Sequence, residues 1–242
     1  MWFAEPEHFL ADRLAALVTD VTGGEPHVAL APEPVWLDDT ERAQAEQVLE
    51  QERARYGGPA DQEEPDLHAI ATLLSTPPEA GYGWVSHTGD RRPMGVLAAR
   101  CPWFGLIAAR EDDDVWIRTF WREDPSVLLT EVLSDWRKPR EQPISVLRSE
   151  LLATNDLVVP SAEVRRAQRV AALPQYGVAE FYAEIRQNGT RRRSPHPVRV
   201  YDNADGRWTM KITPLPSDER LELAPASSAD VVRLLDQLRR DL

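Results

Sequence analysis

The stretch YGVAEFYAEIRQNGTRRRSPHPVRVYDNADGRWTMKITPLPSDERLEL, residues 176–223, decides the fold of this chain. Apolar and polar residues alternate along it with the period of two that is typical of half-buried strands. Asn188-Gly189 and Asp205-Gly206 are dipeptides that favour tight hairpin turns. The pattern predicts four antiparallel strands and a closing amphipathic helix; the strands cover 177–187, 197–202, 207–213 and 219–223, and the helix covers 227–240.

The same plan occurs earlier in the chain, from residue 82 to residue 136. Each unit opens with Tyr-Gly and ends with an apolar strand, a proline, a serine and a helix. The first unit has predicted strands at 81–87, 94–100, 103–110 and 115–121, and its helix covers 126–136. We interpret this as a diverged internal duplication within a single α+β domain, 1–242. Its halves cover about 25–137 and 161–242, with a linker at 138–160.

The segment before the first unit is predicted to be mainly helical. Residues 7–21 indicate an amphipathic helix because apolar residues recur at three- and four-residue spacing; these are Phe9, Leu10, Leu14, Leu17, Val18 and Val21. Residues 27–31 are a candidate for a short apolar strand.

Charge and hydropathy limit the partners of this protein. The 242 residues carry a net charge of −12, although residues 160–220 carry a net +4. Nucleic acids and anionic membranes need a strongly basic surface, so this balance favours a protein partner. The N-terminal residues are acidic where a signal peptide is basic, and no run approaches the roughly 20 apolar residues of a membrane span. We expect a cytoplasmic protein with no membrane insertion.

No motif for catalysis, metal binding or phosphate binding is visible. None of the five histidines has metal-ligand spacing, and the single cysteine, Cys101, allows neither an internal disulfide nor a cysteine-based zinc site. Asp112–Asp114 is most simply a solvated hairpin tip, and Arg191–Arg193 is a basic loop or a phosphate contact. We therefore expect no catalytic residue, no metal and no cofactor.

The second unit offers a candidate surface for a protein partner. Its strand pattern predicts one core face and one charged face that carries tyrosines. The residues proposed for partner binding on that charged face are Tyr182, Arg199, Tyr201, Arg207 and Lys211. The first unit is instead apolar on both faces, and its tryptophans at 84, 103, 116 and 121 are either core residues or interface anchors.

Several short motifs, in the same order and spacing, resemble the EspG family of type VII (ESX) secretion chaperones. They include LHAIATLL at 67–74, GVLAA at 95–99 and GLIAA at 105–109. The second unit adds Tyr-Gly at 176, the arginines at 191–193, Tyr-Asp at 201, Gly-Arg-Trp at 206–208 and Ala-Pro-Ala-Ser at 224–227. The resemblance covers about residues 25–242, and the arginine-rich, lysine-poor composition agrees with an actinobacterial origin.

The resemblance implies both a fold and a function. The fold would be two halves related by a pseudo-twofold axis, joined through a central antiparallel sheet that helical bundles flank. The function would be that of a cytosolic, non-enzymatic chaperone, which binds the apolar tip of the PPE protein in a PE–PPE heterodimer and keeps it export-competent. Two alternatives stay open at this point. One is a general interaction scaffold or self-associating protein, and the other is an enzyme whose site assembles from scattered residues.

Overall fold

A computed structural model describes residues 3–58, 64–90, 92–153 and 159–242 of the chain. The elements are, in order, β1 (Glu7–Leu10), α1 (Ala11–Thr22), α2 (Asp39–Tyr56), α3 (Leu67–Ser75), β2 (Glu79–His87), β3 (Met94–Arg100), β4 (Gly105–Glu111), β5 (Asp114–Phe120), α4 (Pro125–Glu131), β6 (Ile144–Leu147), α5 (Arg148–Leu152), α6 (Ala162–Ala171), β7 (Gln175–Gln187), β8 (Thr190–Arg193), β9 (Val198–Asn203), β10 (Gly206–Pro214), β11 (Glu219–Pro225) and α7 (Ser228–Arg240).

Across the described ranges, eleven strands form a single antiparallel sheet. The strand order is β1-β5-β4-β3-β2-β7-β9-β10-β11-β6, and β8 pairs with β7 outside that path. Strands β2 and β7 join the two units at the centre, where Tyr82 lies opposite Tyr182. The predicted α+β class, with a central antiparallel sheet and flanking helices, is confirmed.

The element order on the two sides of the centre is symmetrical. Each strand from β2 to β5 has a counterpart at the same distance from the centre, and β1 and β6 occupy the two edges. Both edge strands lead directly into a helix, α1 or α5. The stretch expected to be a linker, 138–160, therefore contains β6 and α5. On this basis we propose that the two halves extend back to Glu7 and to Ile144.

The N-terminal segment differs from the expectation of one helix and one strand. Residues 7–10 form β1, which pairs with β5, and α1 begins only at Ala11. Phe9 lies on this edge strand and is buried in the core. It therefore contributes to the apolar spacing that predicts a helix, although it is not part of one. Residues 27–31 form a turn in which the N–H groups of Leu30 and Ala31 donate to the carbonyl of His27.

The helix expected at 126–136 is shorter than its sequence pattern indicates. It begins at Pro125, is capped by the Asp124 carboxylate and ends at Glu131. Beyond this end, the backbone carbonyl of Ser134 accepts a hydrogen bond from the Arg207 side chain. The residues after α4 therefore bind the second unit instead of extending the helix.

Helices cover the two faces of the sheet differently. On face 1, α4 and α7 pack over the central strands, and their shared core includes Leu129, Phe181, Val200 and Val231. On face 2, helices α1 and α3 pack over β3, β4 and β5, while α5 and α6 pack over β6 and β11. Helix α2 packs against α1. The helices of face 2 therefore lie near the two ends of the sheet.

The apolar side of the second unit changes face between β9 and β10. Val200 on β9 belongs to the core of face 1, whereas Trp208 on β10 belongs to the core under α6 on face 2. Trp208 pairs with Tyr201, so these two side chains share a face. The expectation of one core face for all four strands is wrong, because α7 covers β7 and β9 but the next strands bury against α6.

Two glycines permit close backbone approaches within this sheet. A Cβ atom on Gly83 would collide with the carbonyl oxygen of Glu180 on the neighbouring strand β7. A Cβ atom on Gly95 would collide with the carbonyl oxygen of Ala29. Glycine is required at both positions for steric reasons.

Candidate functional site: an aromatic strip at the centre of the sheet

The middle of face 2 carries a row of half-buried side chains between the two groups of helices. We call this row the aromatic strip; its members are Trp84 on β2, Glu180 and Tyr182 on β7, and Arg199 and Tyr201 on β9. The surrounding helices pack mainly on the outer strands, so the five side chains of the strip stay partly exposed on this face, although Tyr82 and Glu184 beside them are buried. A sheet face that is apolar, aromatic and partly uncovered is a surface that a partner can bury.

Ring contacts hold the aromatic members of the strip in place. Tyr182 stacks on the buried Tyr82 with ring centroids 5.6 Å apart, and Trp84 meets Tyr182 edge-on at 6.2 Å. The guanidinium of Arg193, on β8, lies 5.4 Å from the Tyr182 ring centroid in cation–π geometry. These contacts fix the ring orientations, so a partner would meet a preorganised surface.

The strip also contains one ion pair and one tyrosine hydroxyl. The Arg199 Nε lies 2.6 Å from a Glu180 carboxylate oxygen, and the two side chains are 30% and 36% exposed. Burial raises the pKa of the Tyr201 hydroxyl, and this hydroxyl can donate a hydrogen bond to a partner. The strip therefore combines apolar area with groups that can select a polar partner.

A buried charged network lies beside the strip on the same face. The Glu184 side chain is fully buried, and its carboxylate contacts the Arg191 guanidinium and lies 3.4 Å from Nε2 of His27. Burial alone would raise the pKa of the Glu184 carboxyl, but hydrogen bonds from His27 and Arg191 outweigh it and hold the pKa below its ordinary value. The network ties the turn after α1 and the β8 hairpin to the central strand.

The structure separates the five residues proposed for partner binding. Tyr182, Arg199 and Tyr201 lie together in the strip on face 2. Lys211 is exposed on face 1, beside α7, where it borders a cavity of about 250 Å³. Lys211 is therefore not part of the strip.

Arg207 is not on an accessible surface at all. Its side chain is 0% exposed, and its guanidinium makes two hydrogen bonds, of 2.7 and 2.8 Å, to the Asp202 carboxylate. The expectation that Arg207 lies on an open charged face is wrong. Polar alternation indicated exposure, but Asp202 and the carbonyl of Ser134 supply a buried binding site for the guanidinium.

Three residues of this region are not among those predicted to bind a partner. The sequence leaves Trp84 open between core and interface, because its position beside β7 depends on the pairing of the two units. Alternation along β7 predicts only that Glu180 lies on the charged face. The sequence predicts a loop at Arg193, but residues 190–193 form a strand that directs it toward Tyr182. The Asn188-Gly189 turn, with positive φ at both residues, was the available sequence signal for that hairpin.

One contact has the composition of a hydrolytic triad but not its geometry. Ser134 Oγ lies 3.1 Å from Nε2 of His87, while Nδ1 of His87 lies 3.6 Å from Asp90. The Asp90 carboxylate accepts the backbone N–H of His87 instead. Asp90 therefore does not make the side-chain hydrogen bond that would orient His87 as a general base.

The described residues show neither a metal-binding cluster nor a membrane span. No group of three or more histidine, cysteine or carboxylate side chains among them could hold a metal ion. None of their helices has the length and apolar composition needed to cross a bilayer.

A solved structure has the same fold as this chain. The chain is similar to the Mycobacterium tuberculosis type VII secretion system chaperone EspG5, solved in complex with the PE25–PPE41 dimer. The TM-score is 0.65 at 15% sequence identity, and the match covers 98% of this chain and 96% of that one. This likeness concerns the fold.

Sequence comparison identifies the family. No curated protein shows significant sequence similarity to the chain. The sequence model of the EspG family matches residues 11–237, which is nearly the whole length, and confirms the resemblance seen in the short motifs. The chain therefore belongs to the EspG family.

Proposed function

We propose that this protein is a cytosolic, non-enzymatic chaperone of type VII secretion that binds a PE–PPE heterodimer. The observation that carries the proposal is the agreement of family and fold over nearly the full chain with a chaperone solved bound to such a dimer. The aromatic strip supports it, because a partly open apolar surface can cover the apolar tip of a PPE protein.

The side chains of the strip suggest which groups supply affinity for the partner and which supply selectivity. The rings of Trp84, Tyr182 and Tyr201 would contribute buried apolar area, and aromatic residues of this kind dominate the energy of many interfaces. The Arg199–Glu180 pair would fix the partner's polar groups and reject tips with the wrong charges. Binding would keep the apolar tip from self-association before export.

A charge-swap series tests this assignment. Arg199→Glu and Glu180→Arg each leave like charges side by side, whereas the double variant restores the ion pair with its charges reversed. Isothermal titration with a purified PE–PPE heterodimer from the same organism gives the affinities. We expect the double variant to melt at the wild-type temperature yet bind at least about tenfold more weakly, a loss of about 1.4 kcal/mol.

Lys211, on the opposite face of the sheet, provides the control for the charge swap. Lys211→Glu changes a charge on the opposite face and should leave the affinity within about twofold of wild type, since surface substitutions away from an interface have small effects. If the double charge swap binds as tightly as wild type, the pair is only structural. If Lys211→Glu abolishes binding instead, the strip is not the surface that binds the heterodimer.

A further inference from the structure

A second surface with exposed aromatic side chains lies at one end of the sheet, apart from the aromatic strip. Trp103, in the turn between β3 and β4, is 48% exposed, and Trp121, just after β5, is 45% exposed. Their ring centroids are 6.5 Å apart. Tryptophan and arginine are among the residues that most often dominate the binding energy of an interface. The charges beside these two rings determine which kind of partner the surface can bind.

Trp121 also lines an open cavity of about 520 Å³. This volume lies within the range of ligand sites, which is roughly 300–1,000 Å³. The lining combines aromatic rings, guanidinium groups and the single cysteine of the chain; it includes Cys101, Phe104, Trp121, Arg100, Arg122 and Arg186.

The carboxylates at this cavity already have cationic partners. Glu79 lies 2.9 Å from Arg100 and 2.8 Å from Arg239. Glu123 lies 3.6 Å from Arg118. These acids therefore do not neutralise the remaining arginines of the cavity.

Two guanidinium groups of the lining are not satisfied by hydrogen bonds. Within the described parts of the chain, the Arg122 side chain makes neither a hydrogen bond nor an ion pair. The Arg186 side chain is 27% exposed; its buried Nε donates no hydrogen bond there and forms only a long ion pair, of 4.0 Å, with the buried Glu184 carboxylate. A carboxylate that entered the cavity would accept charge-assisted hydrogen bonds from the exposed parts of these two groups.

We propose that this cavity is a docking site for an acidic peptide segment of a partner protein. A carboxylate of the segment binds Arg122 and Arg186, and a neighbouring apolar side chain packs on Trp121. The tryptophans extend the contact surface beyond what a small anion covers, and the net charge of −12 disfavours a polyanion such as a nucleic acid. The site is separate from the aromatic strip and does not depend on the proposed function.

The single cysteine provides a direct readout of occupancy. Cys101 lines the cavity and is the only cysteine in the chain, so its alkylation by N-ethylmaleimide can be followed by intact mass. The probe is the peptide acetyl-Glu-Leu-Asp-Phe-amide. A ligand at ten times its dissociation constant leaves about a tenth of the sites free, so we expect alkylation to slow by up to about tenfold in a saturable manner. The analogue acetyl-Gln-Leu-Asn-Phe-amide should give no protection.

Matched variants make the test specific to the two arginines. Arg122→Gln combined with Arg186→Gln should remove the protection, while Arg220→Gln, an exposed arginine on β11, should retain it. The proposal is overturned if the acidic peptide gives no protection up to about 5 mM, above the dissociation constant of even a millimolar site. Equal protection by the neutral analogue or by inorganic phosphate would also overturn it, because neither outcome requires an acidic peptide.

Discussion

Arg207 shows how one buried residue changes the interpretation of a strand. Arg207→Glu would place a second carboxylate against Asp202, in a position that is fully buried. Breaking a buried ion pair costs about 3–5 kcal/mol, so we expect the free energy of unfolding in urea to fall by about that amount. Arg220→Glu on the neighbouring strand is the exposed control and should change it by about 0.5 kcal/mol or less. An unchanged urea midpoint for Arg207→Glu would contradict the buried pairing.

Glu184 gives a prediction for the pH dependence of stability. Burial is the largest single effect on the pKa of its carboxyl and raises it, but the hydrogen bonds and charges of His27 and Arg191 together outweigh burial and lower this pKa from its ordinary value of 4.5. A carboxyl whose pKa is lower in the folded state stabilises the fold at pH values above its pKa in the unfolded state. This contribution is lost as the pH falls through the pKa of the folded state. We expect the wild-type free energy of unfolding to decline below about pH 5.

The variant Glu184→Gln isolates this contribution. Near pH 7 it should lower the free energy of unfolding by about 3 kcal/mol, because it removes one charge from a buried pair. Its decline below about pH 5 should be shallower than that of wild type, since the titrating group is absent. Parallel urea titrations across pH measure both effects. Equal slopes for the two proteins would show that Glu184 does not titrate in the folded state as stated.

At the scale of elements, the start of α7 depends on a reciprocal cap. The Ser227 hydroxyl oxygen accepts the Asp230 N–H at 3.3 Å, and the Asp230 carboxylate accepts the Ser227 N–H at 2.8 Å. Ser227→Ala should cost about 1 kcal/mol, the usual value of an N-cap. Ser217→Ala, in an exposed turn, is the matched control. Thermal unfolding that is identical for both variants would count against the cap.

The sequence predicts those elements whose signals are local. The Asn188-Gly189 turn and the alternation of β7 need only neighbouring residues, and both were predicted. The face of each strand could not be predicted, because it depends on which helix covers it. Trp208 and Val200 show this, since α6 buries one and α7 buries the other on opposite faces. Alternation alone cannot distinguish a buried arginine such as Arg207 from an exposed one.

At the scale of the whole molecule, the arrangement of the two units accounts for a candidate site at the centre of the sheet. Two similar units meet at β2 and β7, and the helices of face 2 lie over the outer strands. The pairing of Tyr82 with Tyr182 brings aromatic residues of both units into one row. The strand pattern predicts the tyrosines of the second unit, but the contribution of Trp84 follows only from the junction of the units.

Site-specific photo-crosslinking tests most directly which face binds the heterodimer. A benzophenone amino acid replaces Tyr182 on face 2 in one variant and Lys211 on face 1 in another, and each is irradiated with the purified PE–PPE heterodimer. We predict a crosslink to the PPE subunit from position 182 and none from position 211. A crosslink from position 211 alone would contradict the assignment of the aromatic strip as the chaperone's binding surface.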